Sequence, residues 1–121
     1  MTFTGYVDQE ELVSCYNLCD VFAMPNREVG HEAESSLSVE GFGMVFLGAA
    51  ACGKPVIAGR SGGTVYALED GCNGVSVDPE SVEELKRAIR QLRNPDRRAA
   101  MGIFANRFDW AKSAEILRAY I

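Results

Sequence analysis

Two glycine-rich stretches of the sequence could do chemistry through the backbone rather than through side chains. In the first, Gly41 and Gly43 flank Phe42 and lead into an apolar run that ends at Gly53. Glycines at a helix start let backbone N–H groups approach a ligand, and the positive end of the helix dipole favours an anion, so this stretch suits a phosphate. Glu40, just before it, could accept hydrogen bonds from the hydroxyl groups of a sugar.

The second stretch, Ser61 with Gly62 and Gly63, predicts another glycine-rich turn. Taken singly, both stretches have ordinary explanations, because glycine pairs are common in turns and a glutamate before a helix commonly caps it. No Asp and His residues cluster in the sequence, so we expect no metal ion. We also expect no cofactor. The hypothesis is a site that binds phosphate and sugar through backbone amides and Glu40.

The four cysteines favour a structural role over a zinc site. Cys15 and Cys19 lie four residues apart and share the apolar face of a predicted helix. A zinc site would need a second close pair or histidines, whereas Cys52 and Cys72 stand apart and His31 is the only histidine. We therefore expect buried, reduced cysteines and a cytoplasmic protein.

Length and composition predict one small domain over residues 1–121 and exclude some partners. The net charge of −5 argues against nucleic acid, because phosphate binding needs a positive surface. No apolar run reaches the roughly 20 residues of a membrane span, and the first residues do not resemble a signal peptide. Basic residues from Lys86 onward follow Glu83 and Glu84, so a solvated helix face is favoured over a patch for anionic membranes.

The apolar pattern also predicts the elements that must position the glycine stretches. Four strands are predicted, over 1–7, 20–24, 55–58 and 74–78, with helices over 8–18, over the EGFG segment to 53, and from 79 onward. Asp8, with Glu11 three residues later, predicts a capping box. Short strands that alternate with helices are typical of an α/β domain, here a parallel sheet of about four strands with helices on both faces. Ligands of such sheets bind at the carboxyl ends of the strands.

The order of these motifs, from VFAMPNRE through EGFG to SGGTVYALEDGCNGVSVDP, resembles the donor-binding half of the retaining glycosyltransferases with two Rossmann-like domains. The sequence looks most like the branch that includes phosphatidylinositol mannosyltransferases. The resemblance implies half of a Rossmann-like GT-B C-terminal domain, and transfer of a hexose from a nucleoside diphosphate sugar with retention of configuration. It places Glu40 by the donor sugar and implies substrate contacts for the backbones of Gly41, Phe42, Gly43, Met44, Gly62 and Gly63.

Two positions depart from the family pattern. In the family, a second glutamate eight residues after the first holds the ribose, and the matching residue here is Gly48, in the middle of a predicted helix. Relatives usually have a glutamate where this chain has Tyr66. The resemblance also implies an acceptor domain and an Arg and a Lys for the diphosphate, which these 121 residues do not supply.

Three functions stay open at this point. The first is a fragment or truncated relative of a glycosyltransferase, which alone would be inactive and would bind nucleoside diphosphate sugars weakly. The second is a non-catalytic nucleotide-sugar-binding or assembly module, which Gly48, Tyr66 and the short chain favour. The third is a sugar epimerase or phosphorylase, which the motif order fits less well.

For assembly, we expect a homodimer or a missing N-terminal domain. In the resembled domain, two strands separate the one like residues 2–6 from the one like residues 20–24, and the sequence has no counterpart of them. An edge strand left unpaired invites a partner strand.

Overall fold

A computed structural model of the chain describes residues 1–27, 42–69 and 71–94, together with Ala111, Glu115 and Arg118, which are helical. Helices and strands alternate along these residues in seven elements. They are α1 (Gln9–Leu18), β1 (Phe22–Met24), α2 (Met44–Ala51), β2 (Val56–Gly59), α3 (Thr64–Ala67), β3 (Gly74–Val77) and α4 (Val82–Leu92). The predicted α/β alternation is confirmed.

The sheet has three parallel strands in the order β1-β2-β3. In its register Ala23 lies opposite Ile57, and Ile57 lies opposite Val75. The middle strand, β2, is buried along its whole length. Because side chains of a strand alternate between faces, Val56 and Ala58 face one side of the sheet and Ile57 the other.

Helices cover both faces of the sheet, as predicted, and each face has its own apolar core. On one face α1, α2 and α3 pack through seven buried residues, namely Tyr16, Phe46, Ala49, Val56, Ala58, Ala67 and Leu68. On the other face Ala88 and Leu92 of α4 pack against Ile57 and Val77. The apolar stripe of α4 faces this second core, and its charged side faces solvent, where Lys86 pairs with Glu83 at 2.8 Å.

The prediction of a strand over residues 1–7 is wrong. The described sheet therefore has three strands rather than about four. An extended segment becomes a strand only when a neighbour pairs with its backbone, and no described strand lies beside this one. Its large side chains stand in solvent, since Met1, Phe3 and Tyr6 are 106%, 84% and 97% exposed. The other three predicted strands are confirmed to within two residues.

The helix starts follow the predicted local chemistry. Glu11 N–H donates to Asp8 Oδ1 at 2.9 Å, and Asp8 N–H donates to Glu11 Oε2 at 3.0 Å, which confirms the capping box of α1. α4 is capped in a similar way, with Glu84 N–H donating to Ser81 Oγ at 3.2 Å. The helices predicted after residue 94 fall largely outside the described residues.

None of the four cysteines forms a disulfide, and all four are partly rather than fully buried. The expectation of full burial fails because Cys19 and Cys52 are the residues that cap the C-terminal ends of α1 and α2, at the rim of the core. Burial still raises the pKa of the Cys19 thiol, against the opposing effect of the Lys54 ammonium.

The connection from α3 to β3 depends on Asn73, which is completely buried. Its side-chain Oδ1 accepts a hydrogen bond from Glu69 N–H at 2.8 Å, and its Nδ2 donates to Ala67 O at 3.0 Å. Its backbone carbonyl accepts from Val56 N–H at 3.1 Å. One amide thus joins the end of α3 to the start of β3.

We expect Asn73→Ala to lower the free energy of unfolding by about 2 kcal/mol or more, because losing a buried hydrogen-bond partner costs about 1–3 kcal/mol for each group left behind. A denaturant melt measures this change. Asn17→Ala is the matched control, because Asn17 Nδ2 makes a 3.0 Å bond to Val13 O on the exposed side of α1. The control should change stability by about 0.5 kcal/mol or less. Equal effects of the two variants would contradict the role given to Asn73.

Candidate functional site

The carboxyl ends of the three strands lie at one edge of the sheet, because the strands are parallel. At this edge β1 leads into Asn26 and Arg27, and β2 leads into Arg60 and the glycine loop of residues 61–63. The C-terminal ends of α1 and α2 lie near the amino-terminal ends of the strands. There Lys54 Nζ donates a hydrogen bond to Asn17 O at 2.8 Å. The N-terminal halves of both helices therefore point toward the carboxyl edge.

Gly43 lies at the start of α2, as the sequence predicted. Gly43 has a φ of +83°, and a Cβ added there would collide with the ring of Phe46, so only glycine fits. Within the described residues no side chain caps α2, and its first turn has no acidic residue. Phe42 and Met44 on either side are 36% and 78% exposed. Glu40 and Gly41 lie outside the described residues.

A row of three aromatic rings supports this turn from beneath. Phe46 is completely buried, and its ring meets that of Phe22 edge to face, with centroids 6.0 Å apart and planes at 70°. Phe22 meets Tyr16 in the same way, at 5.4 Å and 74°. Because the three rings come from α2, β1 and α1, they fix the positions of these elements relative to one another.

Between the N-terminal halves of α1 and α2 lies a groove of about 400 Å³, with mostly apolar walls that include Val7, Leu12, Val13 and Met44. Gly48 of α2 and Tyr16 of α1 form part of its lining. A Cβ added at Gly48 would lie 3.1 Å from Tyr16 Cε2. The missing side chain therefore lets α1 approach α2 closely, and a larger residue at 48 would displace the Tyr16 ring by a few tenths of an ångström.

The glycine loop after β2 is held by buried hydrogen bonds. Thr64 is 1% exposed, and its Oγ1 lies 2.7 Å from both Gly59 O and Ser61 O. A Cβ at Gly59 would collide with the Asn26 carbonyl, so the chain that follows β1 passes close to the end of β2 at this edge. Gly62 has a φ of +58°, as the predicted turn requires. Tyr66, on α3, is 72% exposed and is not part of the core.

The sequence analysis missed two arginines at this edge. Arg27 Nη1 lies 3.2 Å from Glu80 Oε1, and Arg60 Nη2 lies 2.6 Å from Glu84 Oε2. The signal that could have found them is their position, since each follows closely on the end of a predicted strand. They add two exposed guanidinium groups to the carboxyl edge.

The Glu84 carboxylate is held by more than Arg60. A hydrogen bond from Asp78 N–H, at 2.9 Å, and then the charge of Arg60 lower the pKa of Glu84. A lowered pKa keeps a carboxylate ionised at more acidic pH, so this contact is present above the usual carboxyl range and is lost only as pH falls through the lowered value. At neutral pH the Glu84 carboxylate is therefore ionised and paired with Arg60.

Within the described part of the chain, no three His, Cys, Asp or Glu residues come together in a way that could hold a metal ion. None of the helices there is both long and apolar enough to cross a membrane. The groups that this edge offers a ligand are backbone N–H groups, two guanidinium groups and an apolar groove.

Known proteins that are similar to this chain include two kinds of glycosyltransferase. The chain is 44% identical over 104 residues to a GDP-mannose-dependent alpha-(1-6)-phosphatidylinositol monomannoside mannosyltransferase of Mycolicibacterium smegmatis, a match that covers 85% of this chain and 26% of the relative. It is 36% identical over 113 residues to a D-inositol 3-phosphate glycosyltransferase of Corynebacterium kroppenstedtii, covering 89% of this chain and 23% of the relative. The chain thus spans about a quarter of the length of these relatives.

Solved structures agree with the fold. The chain is similar to sucrose-phosphate synthase from Thermosynechococcus elongatus, with a TM-score of 0.73 and 28% identity over 98% of this chain and 29% of that one. It is also similar to the Anabaena protein HepE in complex with UDP and glucose, with a TM-score of 0.66 and 26% identity over 98% of this chain and 32% of that one. The α/β fold class predicted from the sequence is confirmed by these likenesses.

The family model described as glycosyl transferases group 1 matches residues 1–108. This match covers every described strand and all four helices of the sheet domain. The chain belongs to the group 1 glycosyl transferases.

Proposed function

We propose that this chain is the donor-binding part of a retaining glycosyltransferase, which transfers a hexose from a nucleoside diphosphate sugar to an acceptor. The observation that carries the proposal is the start of α2, where the left-handed Gly43 opens a helix beside the groove between α1 and α2. Backbone N–H groups and the helix dipole at such a start suit a diphosphate. In support, one relative is named as GDP-mannose-dependent and a similar solved structure holds UDP and glucose.

In this proposal the diphosphate lies over the first turn of α2, against the backbones of Gly41, Phe42, Gly43 and Met44. Glu40 contacts the donor sugar, and the turn at Gly62 and Gly63 adds backbone contacts from the end of β2. The nucleoside occupies the groove between α1 and α2. The apolar walls of this groove suit the faces of a base, because flat rings bury much apolar surface at little cost in polar contacts.

Two features of the chain limit its own affinity for nucleoside diphosphate sugars. A ribose in the groove meets no carboxylate from position 48, because this residue is glycine. Arg27 and Arg60 are already paired with glutamates, so they offer the diphosphate less charge than unpaired cations would. Stabilisation of the leaving group by cationic groups contributes much of the rate in such transfers. We therefore propose that the chain alone binds donors weakly and is inactive.

The proposed glycosyltransferase differs from a non-catalytic module in whether a hexose is transferred. A nucleotide-sugar-binding module would bind the donor without transferring its hexose, and an assembly module would not need the donor. The names of the relatives are those of transferases, which does not favour the module.

We expect weak binding of uridine and guanosine diphosphate sugars in calorimetric titrations of the chain. A hydrogen bond to a charged group is worth about 1.5–3 kcal/mol, so one missing carboxylate lowers affinity by about tenfold or more. Micromolar affinity for any of these donors would contradict the proposed losses at the ribose and the diphosphate.

Gly48→Glu tests the ribose contact directly. A glutamate at 48 leans toward the N-terminus of α2, into the groove, so we expect affinity for nucleoside diphosphates to rise by about tenfold. The matched controls are Gly48→Gln, which has the same shape without the charge, and Gly48→Ala, which adds only a Cβ. The gain should be small for Gln, absent for Ala, and absent for a nucleotide whose ribose lacks both hydroxyls. Equal affinities of the Glu and Ala variants would place the ribose elsewhere.

The same three variants test why glycine is tolerated at 48. Glycine costs about 1 kcal/mol relative to alanine or glutamate in a helix interior. Moving Tyr16 by a few tenths of an ångström should cost less, because it is the only buried residue of α1. We expect each variant to be as stable as the parent chain or slightly more stable in a denaturant melt. A loss of several kcal/mol would mean that close packing against Tyr16 requires the glycine.

A further inference from the structure

The side chain of Tyr16 brings a polar group without a partner to the groove between α1 and α2. Tyr16 is 5% exposed, and its ring packs edge to face against Phe22 in the core. Its backbone carbonyl accepts a hydrogen bond from the Cys19 thiol at 3.3 Å, but within the described part of the chain no group forms a hydrogen bond with its hydroxyl. Hydroxyl groups of buried residues usually have a partner, because leaving one unpaired costs free energy.

This hydroxyl is open to the groove rather than sealed inside the core. Among the described residues, the side-chain polar atom that is both shielded from solvent and without a partner is Asn26 Oδ1. The Tyr16 hydroxyl oxygen is therefore not shielded, and a group outside the protein can reach it. Because Tyr16 and Gly48 both line the groove, a ligand in the groove is the group that would meet this hydroxyl.

Gly48 is the reason that the hydroxyl can be reached. A Cβ added at residue 48 would lie 3.4 Å from the Tyr16 hydroxyl oxygen and 3.1 Å from Cε2 of the ring. Any side chain at 48 therefore begins in contact with this hydroxyl and competes with a ligand for it. With glycine there, the polar group that the groove offers beside residue 48 is the phenol of Tyr16.

The chemistry of a phenol suits a sugar hydroxyl. Its O–H donates one hydrogen bond, and its oxygen can accept another. Burial raises the pKa of Tyr16, so the group keeps its proton at neutral pH and remains a donor. Gly48 lies four residues after Met44, or about 6 Å along α2. A nucleotide whose diphosphate lies over the first turn of α2 has its ribose next along the groove, beside residue 48.

We propose that the Tyr16 hydroxyl forms a hydrogen bond with a ribose hydroxyl of the nucleoside diphosphate, at the place that Gly48 leaves open. This contact requires the diphosphate to lie over the first turn of α2, and so it rests on the proposed function. It makes Tyr16 a residue that distinguishes nucleotides with ribose hydroxyls from nucleotides without them. A hydrogen bond to a neutral phenol is weaker than one to a carboxylate, which agrees with weak binding by the chain alone.

Tyr16→Phe tests the contact, because it removes the hydroxyl and keeps the ring. NMR titrations with UDP and GDP measure the affinity of the parent chain and the variant even when binding is weak. We expect the variant to lose about twofold to tenfold in affinity for whichever nucleotide the parent chain binds, which is the worth of a neutral hydrogen bond. For the dideoxy forms of the same nucleotides, which lack both ribose hydroxyls, parent chain and variant should bind equally.

Two controls accompany this variant. Tyr6→Phe removes a hydroxyl from a residue that is 97% exposed and does not line the groove, so it should change neither affinity. A thermal melt checks the fold of Tyr16→Phe. Because the Tyr16 hydroxyl has no partner in the described part of the chain, the variant should melt at the temperature of the parent chain or above it.

The outcomes distinguish this contact from the proposed function. If the parent chain binds UDP or GDP and Tyr16→Phe binds it equally well, the Tyr16 contact is wrong and the proposed function stands. An equal loss for the ribose and dideoxy forms would give Tyr16 a purely structural role and would also overturn the contact. If the parent chain binds neither nucleotide at millimolar concentration, the proposed function fails and the contact fails with it.

Discussion

The edge-to-face row of Tyr16, Phe22 and Phe46 is the contact on which the rest of the described structure depends. It joins α1, β1 and α2, whose relative positions define the groove at the carboxyl edge. The same Phe46 ring occupies the space that a side chain at residue 43 would need. The left-handed glycine that opens α2 is therefore fixed by the packing of the core, and the backbone geometry at the start of α2 follows from where one phenylalanine is buried.

Local signals in the sequence predicted most of the described elements. The capping box at Asp8 and Glu11 involves residues three apart, so it could be recognised without knowing the fold. The apolar runs of β2 and β3 are short and bounded by turns, which is also local information. Residues 1–7 look like a strand by the same rules, yet they form none, because a strand requires a neighbour and no residue type in the segment specifies one. Residue preference alone could not supply that missing contact.

The candidate site could be predicted only where its chemistry lies in the backbone. Gly43 was identifiable at the helix start because its residue type is the signal, and its φ of +83° is one that favours glycine. Arg27 and Arg60 gave no such signal, because an exposed arginine beside a loop looks like any other surface charge. The packing role of Gly48 could not be predicted from the sequence either. Its nearest neighbour across the helix pair is Tyr16, at a distance in sequence over which no pattern of residue types predicts a contact.

The contact between Gly48 and Tyr16 also links ligand binding to stability. α1 has one buried residue, Tyr16, and its C-terminal end is tied to the body of the domain by Lys54 Nζ bonding to Asn17 O. α1 has fewer buried residues than α2, so we expect it to open at a lower free energy than the sheet does. A ligand that fills the groove touches α1 and α2 at once and binds only when both are in place. By mass action, such a ligand stabilises the packing of α1 against α2. Ligand binding in the groove and the stability of this side of the core therefore depend on the same contact between α1 and α2.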